Sequence, residues 1–272
     1  MTLFQSILLG IVQGLTEFLP ISSSAHLVLV PHLLGWKIPA NEAFIFDVLV
    51  QVATLVAVFA YYWTDVRDIL AGMWSALRQG SLLANPQARL GWNIVVATLP
   101  AGILGLMLKD MVEAAFNSPT ITAIFLLGTA ALLVSAERFG RQNQPIESIT
   151  WIDAVFIGLY QAISIFPGIS RSGATITGGM ARNLDRPAAA RFAFLMSMPI
   201  MLAAGLLAGK DLIGLPNLGS LLPVFIPGFI VSAVTGYLAI RWLLGYLVHH
   251  SLYIFSIYCA ILALVVLGLN FL

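Results

Sequence analysis

The stretch QGLTEFLPISSSAH, residues 13–26, interrupts an apolar region that covers about residues 2–34. A second apolar region, at about 150–183, is interrupted by FPGISRSG, residues 166–173. In each region, two apolar segments that are short for a membrane span flank a break rich in Pro and Ser. Non-helical backbone at membrane depth is tolerated only where protein or a water-filled cavity satisfies its polar groups. Each region is therefore predicted to form a re-entrant helical hairpin, with two kinked full spans as the alternative.

The composition of the chain indicates that lipid is its main solvent. Of the 272 residues, 60% are hydrophobic and 9% are charged, whereas about a quarter of the residues of a soluble globular chain are charged. The net charge of +1 gives no indication of a nucleic-acid partner. Segment 64–87 has the pattern of an interfacial amphipathic helix. Six segments are long and apolar enough to span the lipid bilayer, at about 42–63, 88–109, 118–136, 188–209, 221–243 and 251–271.

The two broken regions are related at a fixed spacing of 148 residues, with no gap over residues 10–25. Identical pairs at this spacing include Gly10 and Gly158, Gln13 and Gln161, Ser22 and Ser170, and Ser24 and Ser172. Each copy is then one hairpin followed by three spans, and because three is odd, the second copy must be inverted. Such repeats are a known membrane architecture. We predict an all-α polytopic membrane protein with a single membrane domain, residues 1–272, built from inverted repeats at about 1–140 and 149–272.

The basic residues of the predicted loops are distributed unevenly between the two sides. One side carries Lys37, Lys109 and Lys210, and the other carries Arg67, Arg78, Arg89, Arg138, Arg141, Arg182, Arg186, Arg191 and Arg241. Basic loops favour the cytoplasmic side of a membrane. The Arg-rich side is therefore predicted to be cytoplasmic, and the first hairpin is predicted to open to the extracytoplasmic side.

The first break holds the residues best suited to chemistry. Gln13 and Glu17 are four residues apart and share one helix face. Glu17 and His26 are ionisable groups in a region otherwise suited to lipid, so a functional role is the default interpretation; the alternative is that Glu17 only caps or pairs within the hairpin. Ser23 lies three residues before His26, on an adjacent surface of a helix. The three consecutive Ser residues can cap the second half-helix, whose N-terminus suits an anion.

The second break places SRSGAT, residues 170–175, at the start of another half-helix. Backbone N–H groups, hydroxyl groups and the guanidinium of Arg171 are expected to converge there, and Arg matches phosphate oxygens bidentately. The 148-residue spacing puts Arg171 opposite Ser23. The two half-helices are therefore predicted to face one pocket that binds a phosphate. The alternative is that Arg171 only extends to the membrane interface or caps a neighbouring helix.

A bound phosphate alone would also fit a transport function, and the residues of the first break favour catalysis. A hydroxyl nucleophile needs a base, and the base is oriented by a third group. We assign Ser23 as the nucleophile, His26 as the base or proton donor, and Glu17 as the group that orients His26 or binds a divalent cation. Asp47, with Gln51 four residues on, is predicted to line the pocket or to face lipid headgroups.

Together the motifs QGLTEFLPISSSAH and PGISRSGATITGG (residues 167–179) resemble those of the undecaprenyl-pyrophosphate phosphatase family, integral membrane enzymes linked to bacitracin resistance. The resemblance covers essentially the whole chain. It implies hydrolysis of undecaprenyl pyrophosphate to undecaprenyl phosphate in the bacterial cell (inner) membrane, which recycles the lipid carrier of peptidoglycan synthesis. It also implies a divalent cation such as Mg²⁺ or Ca²⁺.

Carried over by position, the resemblance assigns catalytic roles to Glu17, Ser23, His26 and Arg171. Gln13 stands where the family has Glu or Gln, which removes one carboxylate that could bind the metal and leaves Glu17 as the candidate metal ligand. Whether Ser23 or His26 is the nucleophile stays open by resemblance. The residues predicted to contact the substrate are Gln13, Ser22, Ser24, Asp47, Ser170, Ser172, Gly173 and Thr175.

The runner-up function is a transporter or flippase of a phosphate-bearing lipid. Inverted repeats with half-helices are typical of transporters, so the architecture by itself favours that function. The Ser, His and Glu residues of the first break favour the phosphatase instead. The sequence leaves the oligomeric state open, and a homodimer is one of the assemblies it allows.

Overall fold

The structure is a computed structural model that describes residues 1–116, 118–213 and 218–270. Within these ranges the chain forms twelve α-helices and one 3₁₀ turn, Ile146–Ser148, without a β-strand. The helices are α1 (Leu3–Phe18), α2 (Ser23–Leu33), α3 (Ala40–Tyr61), α4 (Trp63–Arg78), α5 (Pro86–Met107), α6 (Lys109–Phe116), α7 (Pro119–Phe139), α8 (Trp151–Ile163), α9 (Arg171–Ala181), α10 (Arg186–Ile213), α11 (Leu218–Leu247) and α12 (Tyr253–Asn270).

The six predicted spans all correspond to helices. α3, α5, α7, α10 and α11 are long and apolar enough to cross a membrane, and α12 is a shorter apolar helix of 18 residues. Their outer surfaces expose large apolar side chains, such as Ile103 on α5, Leu206 on α10 and Leu264 on α12. An apolar surface on this scale marks contact with lipid rather than with water. The chain is therefore a polytopic membrane protein.

Both predicted helix breaks are present. α1 is followed by α2 across residues 19–22, and α8 is followed by α9 across residues 164–170. Each break contains a proline, Pro20 or Pro167. Proline lacks an N–H donor and disfavours helical backbone at the residue before it. Leu19, which precedes Pro20, is accordingly extended, with φ −64° and ψ 142°.

The 148-residue spacing extends beyond the motifs from which it was found. Thr2 and Thr150 stand at this spacing, and they cap α1 and α8 through the same capping box. α2 and α9 begin at equivalent positions, Ser23 and Arg171, and each has 11 residues. The two hairpins are thus built alike from cap to end.

The helices of the two predicted copies pack across each other. α1 packs against α11 and α8 packs against α5, while α7 packs against α12. The equivalent residues Gly10 and Gly158 permit the first two contacts. A Cβ on Gly10 would lie 2.3 Å from the carbonyl oxygen of Gly228, and a Cβ on Gly158 would lie 2.5 Å from that of Ala97. The first half-helix of each hairpin therefore rests on a span of the other copy.

The amphipathic segment predicted at 64–87 includes nearly all of helix α4, which ends at Arg78, and the beginning of α5 at Pro86. Leu70, Trp74 and Leu77 are exposed, whereas Ile69 and Ala76 are buried. Such a helix suits the boundary between lipid and water. Three ion pairs involve arginines of the Arg-rich side, and the third of them involves α4: Arg182 with Asp153, Arg186 with Glu137, and Arg191 with Asp65.

Candidate active site

The two helix breaks touch each other. The Ser172 hydroxyl, at the start of α9, donates a hydrogen bond to the Leu19 carbonyl oxygen in the first break, at 3.0 Å. The Arg171 guanidinium forms an ion pair with the Glu17 carboxylate at the end of α1. These contacts join residues about 150 positions apart in the chain. The expected meeting of the two hairpin tips is therefore observed.

Glu17 is the centre of this contact. Its side chain is 4% exposed. Beside the ion pair with Arg171, it accepts a hydrogen bond from Gln13 Nε2 at 2.9 Å and one from the Ser23 hydroxyl at 2.6 Å. A buried carboxylate is strongly destabilising unless it is paired and hydrogen-bonded, and Glu17 satisfies both conditions. The i, i+4 relation of Gln13 and Glu17 predicted from the sequence is confirmed.

The backbone of the first break presents Ser23 at the beginning of α2. Ser22 takes the left-handed conformation, with φ 69°, and its hydroxyl caps the helix by accepting from Ala25 N at 3.3 Å. Positive φ in a residue other than glycine is rare and strained, and it often occurs at functional sites. The turn brings the Ser23 side chain back toward the end of α1, which explains its bond to Glu17.

The second break is held by α7. Thr129 donates to the Gly168 carbonyl oxygen at 2.7 Å, and Ser170 N donates to the Thr129 hydroxyl at 2.8 Å. Gly168 has φ +105°, and a Cβ there would lie 2.3 Å from the Thr122 carbonyl oxygen. Only glycine fits this position. Ser170 caps α9 by accepting from Gly173 N at 3.1 Å, so the helix start that bears Arg171 is rigidly placed.

A cavity of about 270 Å³ lies against both breaks. Its size is near the lower end of the range for small-molecule sites. A larger cavity, of about 380 Å³, lies between α4 and α5 and contacts neither break. Apolar residues of α5, α6, α10 and the second break form part of the wall of the smaller cavity. The polar residues that line it are Glu17, Ser22, Ser23, Ser24, Gln51, Gln161, Ser164, Ser170 and Arg171.

His26 lies behind the first break rather than in the cavity lining. Its Nδ1 is 2.7 Å from the Ser22 carbonyl oxygen, and its Nε2 is 2.6 Å from the hydroxyl of Tyr258 on α12. The two rings are stacked, with 4° between their planes. Both nitrogens thus have partners, and Ser23 is bonded to Glu17 instead of to His26. The predicted pairing of Ser23 with His26 is not formed in this conformation.

The other predicted substrate contacts divide into two groups. Ser22, Ser24 and Ser170 line the cavity. Ser172 and Thr175 donate their hydroxyl hydrogens to backbone carbonyl oxygens, and Gly173 donates its N–H to Ser170. Gln13 donates to Glu17. Asp47 lies outside the cavity lining. The second group therefore shapes the breaks from behind, with the exception of Asp47.

Three residues of the site were not predicted from the sequence. Gln161 and Ser164 line the cavity, and Tyr258 holds His26. The 148-residue match of Gln161 with Gln13 was a signal that could have identified Gln161. No pattern in the sequence connects Tyr258 with the first break, because it lies 232 residues from His26.

Comparisons with known proteins agree over nearly the whole chain. The family model described as bacitracin resistance protein BacA matches residues 6–265. The undecaprenyl-diphosphatase of Chlorobaculum tepidum is 44% identical, over 97% of this chain and 95% of the relative. The protein of the same name from Desulforudis audaxviator is also 44% identical, over 97% and 96%. That from Methanosphaera stadtmanae is 39% identical, over 98% of both chains.

Proposed function

This chain belongs to the bacitracin resistance protein BacA family, and on that premise we propose that it hydrolyses undecaprenyl pyrophosphate to undecaprenyl phosphate and phosphate. The reaction breaks a phosphoric anhydride bond and returns the lipid carrier to peptidoglycan synthesis. The description of the family associates it with resistance to bacitracin. The observation in the structure that carries the proposal is the buried contact of Glu17 with both Ser23 and Arg171 beside a cavity.

Ser23 is the proposed nucleophile. Its hydroxyl lies in the cavity lining and donates to Glu17 at 2.6 Å, within the distance required for proton transfer to a base. In the first step Ser23 Oγ bonds to the terminal phosphorus and its proton passes to Glu17. The bond from that phosphorus to the bridging oxygen breaks, and undecaprenyl phosphate leaves. Water then hydrolyses the phosphoserine and releases inorganic phosphate.

In this arrangement Glu17 replaces His26 as the group that receives the Ser23 proton. His26 has a positioning role in the proposal, because its ring joins the Ser22 carbonyl oxygen to Tyr258. Ser22 is the residue whose left-handed backbone turns Ser23 toward Glu17. Loss of His26 would therefore act on the geometry of Ser23 rather than on the proton transfer itself.

Arg171 is the proposed clamp for the terminal phosphate. Arg carries five N–H donors in a planar fork, and one of its nitrogens contacts Glu17. Its other N–H groups can donate to the oxygens of the terminal phosphoryl group, over which charge is spread in the transition state. Preorganised donors of this sort are commonly the largest single contribution to catalysis.

The family resemblance implies a divalent cation, and the residues fit one only in part. No group of three or more His, Cys, Asp or Glu side chains is gathered anywhere in the described ranges. Mg²⁺ is often held by one or two carboxylates together with substrate phosphates, and among the described residues that line this cavity Glu17 carries the carboxylate. Glu17, together with the substrate phosphates, would hold such a cation. When bound, it would neutralise charge on the phosphate oxygens.

The proposed architecture is a pair of inverted repeats, 1–140 and 149–272, with both hairpins re-entrant. The shared capping boxes, the equal half-helices and the crossed packing of α1 and α8 support it.

The Arg-rich loops favour an orientation with the cavity open to the extracytoplasmic side. A cysteine at Thr2, with the buried Cys259 replaced, should react with an impermeant thiol reagent in intact cells. Labelling only after lysis would reverse the orientation.

The activity is tested directly by phosphate release. Purified protein in detergent should release inorganic phosphate from undecaprenyl pyrophosphate, and a chelator of divalent cations should suppress the release. A matched preparation of Glu17→Gln should be inactive under both conditions. Absence of phosphate release from the wild-type protein, with and without added Mg²⁺ or Ca²⁺, would refute the proposed function.

A further inference from the structure

Gln161 is a buried amide without a partner. It lies on α8, is 1% exposed, and neither its Nε2 nor its Oε1 has a hydrogen-bond partner in the described structure. Leaving a buried donor or acceptor unpaired costs about 1–3 kcal/mol for each group. Native proteins rarely keep such a group unless something else uses it. Gln161 also lines the cavity between the two breaks.

The sequence explains why this amide lacks a partner. Its equivalent in the first copy, Gln13, donates to Glu17 four residues later. The position four residues after Gln161 is Ile165, which offers no acceptor. The second hairpin therefore keeps the glutamine of the first and has lost the carboxylate that occupies it. The donor of Gln161 is left for whatever enters the cavity.

The surroundings define the chemistry of that ligand. Ser164, Ser170 and Arg171 line the same side of the cavity from the second break. Arg171 is a permanent cation with five N–H donors, whereas the Ser164 hydroxyl already donates to the Gln161 carbonyl oxygen at 2.7 Å and the Ser170 hydroxyl lies 3.1 Å from that of Ser172. The ligand that suits this side is an anion with several acceptor oxygens. A cation on this side would be repelled by Arg171.

We propose that Gln161 is a substrate-binding residue, whose Nε2–H donates to a non-bridging oxygen of the diphosphate. The inference rests on the proposed function and adds a residue to its site. Gln13 and Gln161 then have different tasks: Gln13 holds Glu17, and Gln161 holds the substrate. The hydrogen bond is to a charged acceptor, and bonds of that kind are the stronger ones.

Gln161→Met tests this assignment, because the side chain keeps its length and loses both polar atoms. In the full-length protein, kcat/KM for undecaprenyl pyrophosphate should fall about 10- to 100-fold, as for the loss of one hydrogen bond to a charged group. The thermal unfolding midpoint should stay the same or rise, since an unpaired buried amide is removed. Gln161→Glu, which removes both donors and adds negative charge, should lower kcat/KM further.

A binding measurement separates this inference from the proposed function. Inorganic pyrophosphate should raise the unfolding midpoint of the wild-type protein by mass action, and raise it less in Gln161→Met. This result would support the Gln161 site even if the wild-type protein released no phosphate. Ser6→Ala is the matched control, because Ser6 is also buried with an unpartnered hydroxyl but lies outside the cavity lining; it should respond as the wild type does.

Two results would overturn the inference. One is a Gln161→Met variant with wild-type kcat/KM and a wild-type response to pyrophosphate. The other is a variant whose unfolding midpoint falls and whose KM is unchanged while kcat drops, which would mark Gln161 as a structural residue only. Either result leaves the proposed function standing if the wild-type protein releases phosphate.

Discussion

At the first helix break, Glu17 accepts hydrogen bonds from Gln13 and Ser23, whereas at the second break the position equivalent to Glu17 is Ile165. The scaffolds of the two breaks are otherwise alike. In each, the first Ser of the motif caps the following half-helix and hydrogen-bonds the Ser two residues later at 3.1 Å. The same fold element thus carries an acid and a hydroxyl in one copy and a cation in the other.

This difference shows how a repeated element becomes an asymmetric site. Two copies of Glu17 facing each other would repel, and so would two copies of Arg171. Because each copy keeps only one of the two charges, the breaks attract each other through the Glu17–Arg171 ion pair. The charged side chains that differ between the copies meet beside the cavity, whereas the identical Ser22 and Ser170 cap the two half-helices.

The largest expected effect is at Ser23, whose equivalent in the second break is Arg171. Ser23→Ala should lower kcat by on the order of 10⁴-fold or more, as deletion of a nucleophile does. Ser135→Ala, which removes a hydroxyl from α7 away from the cavity, should keep wild-type turnover. Trapped phosphoenzyme should be acid-stable phosphoserine. Acid-labile phosphohistidine at His26, with a Ser23→Ala loss near 10²–10³-fold, would contradict the assignment.

Arg171→Lys should cost roughly 10²-fold in kcat/KM although the charge is retained, because a fork that can hold two oxygens becomes a point charge. Arg191→Lys is the matched control: that Arg also pairs with a carboxylate, Asp65, but away from both breaks. It should keep most of the activity. Steady-state phosphate release for the two variants checks this, and equal losses would remove the phosphate-clamp role from Arg171.

The shared scaffold of the breaks can be tested through Gly10 and Gly158. Ala at either position would place Cβ against a backbone carbonyl oxygen of the opposing helix. Each substitution should destabilise the protein by about 1–3 kcal/mol, the usual cost of overpacking. Gly102→Ala on α5 has open space around it and should be neutral or slightly stabilising. Thermal unfolding in detergent measures the stability of all three variants. A large difference between Gly10→Ala and Gly158→Ala would show that the two glycines do not have equivalent roles in helix packing.

The smallest expected effect comes from making the second break more like the first. Ile165→Glu adds a carboxylate four residues after Gln161, in the cavity lining. It should pair with the Gln161 amide and repel the diphosphate, and KM should rise about tenfold, which corresponds to about 1.4 kcal/mol. Ile165→Gln adds a polar group without the charge and should raise KM less. A KM for Ile165→Glu at or below the wild-type value would show that the absence of a carboxylate at position 165 does not favour substrate binding at the second break.

The sequence by itself determined the positions of the breaks, the spans and the relation between the copies. Pro20 and Pro167 end helices through constraints on the adjacent backbone, and those constraints are local. Spans follow from the length of apolar segments, because the bilayer sets that length. The 148-residue spacing placed Arg171 opposite Ser23, and the structure brings Arg171 to Glu17, six residues before Ser23. The set of residues at the site could therefore be predicted in large part.

Only the tertiary structure decided how those residues are paired. The spacing of Ser23 and His26 suggested a bond between them, yet Ser23 donates to Glu17, and His26 lies between Ser22 and Tyr258. The direction of a side chain after a break depends on the backbone torsions of the turn, here the left-handed Ser22, which sequence spacing does not specify. The partners of a buried polar group are set by whichever helices pack around it, so Tyr258 on α12 and the unpaired amide of Gln161 became visible only once the helices were assembled.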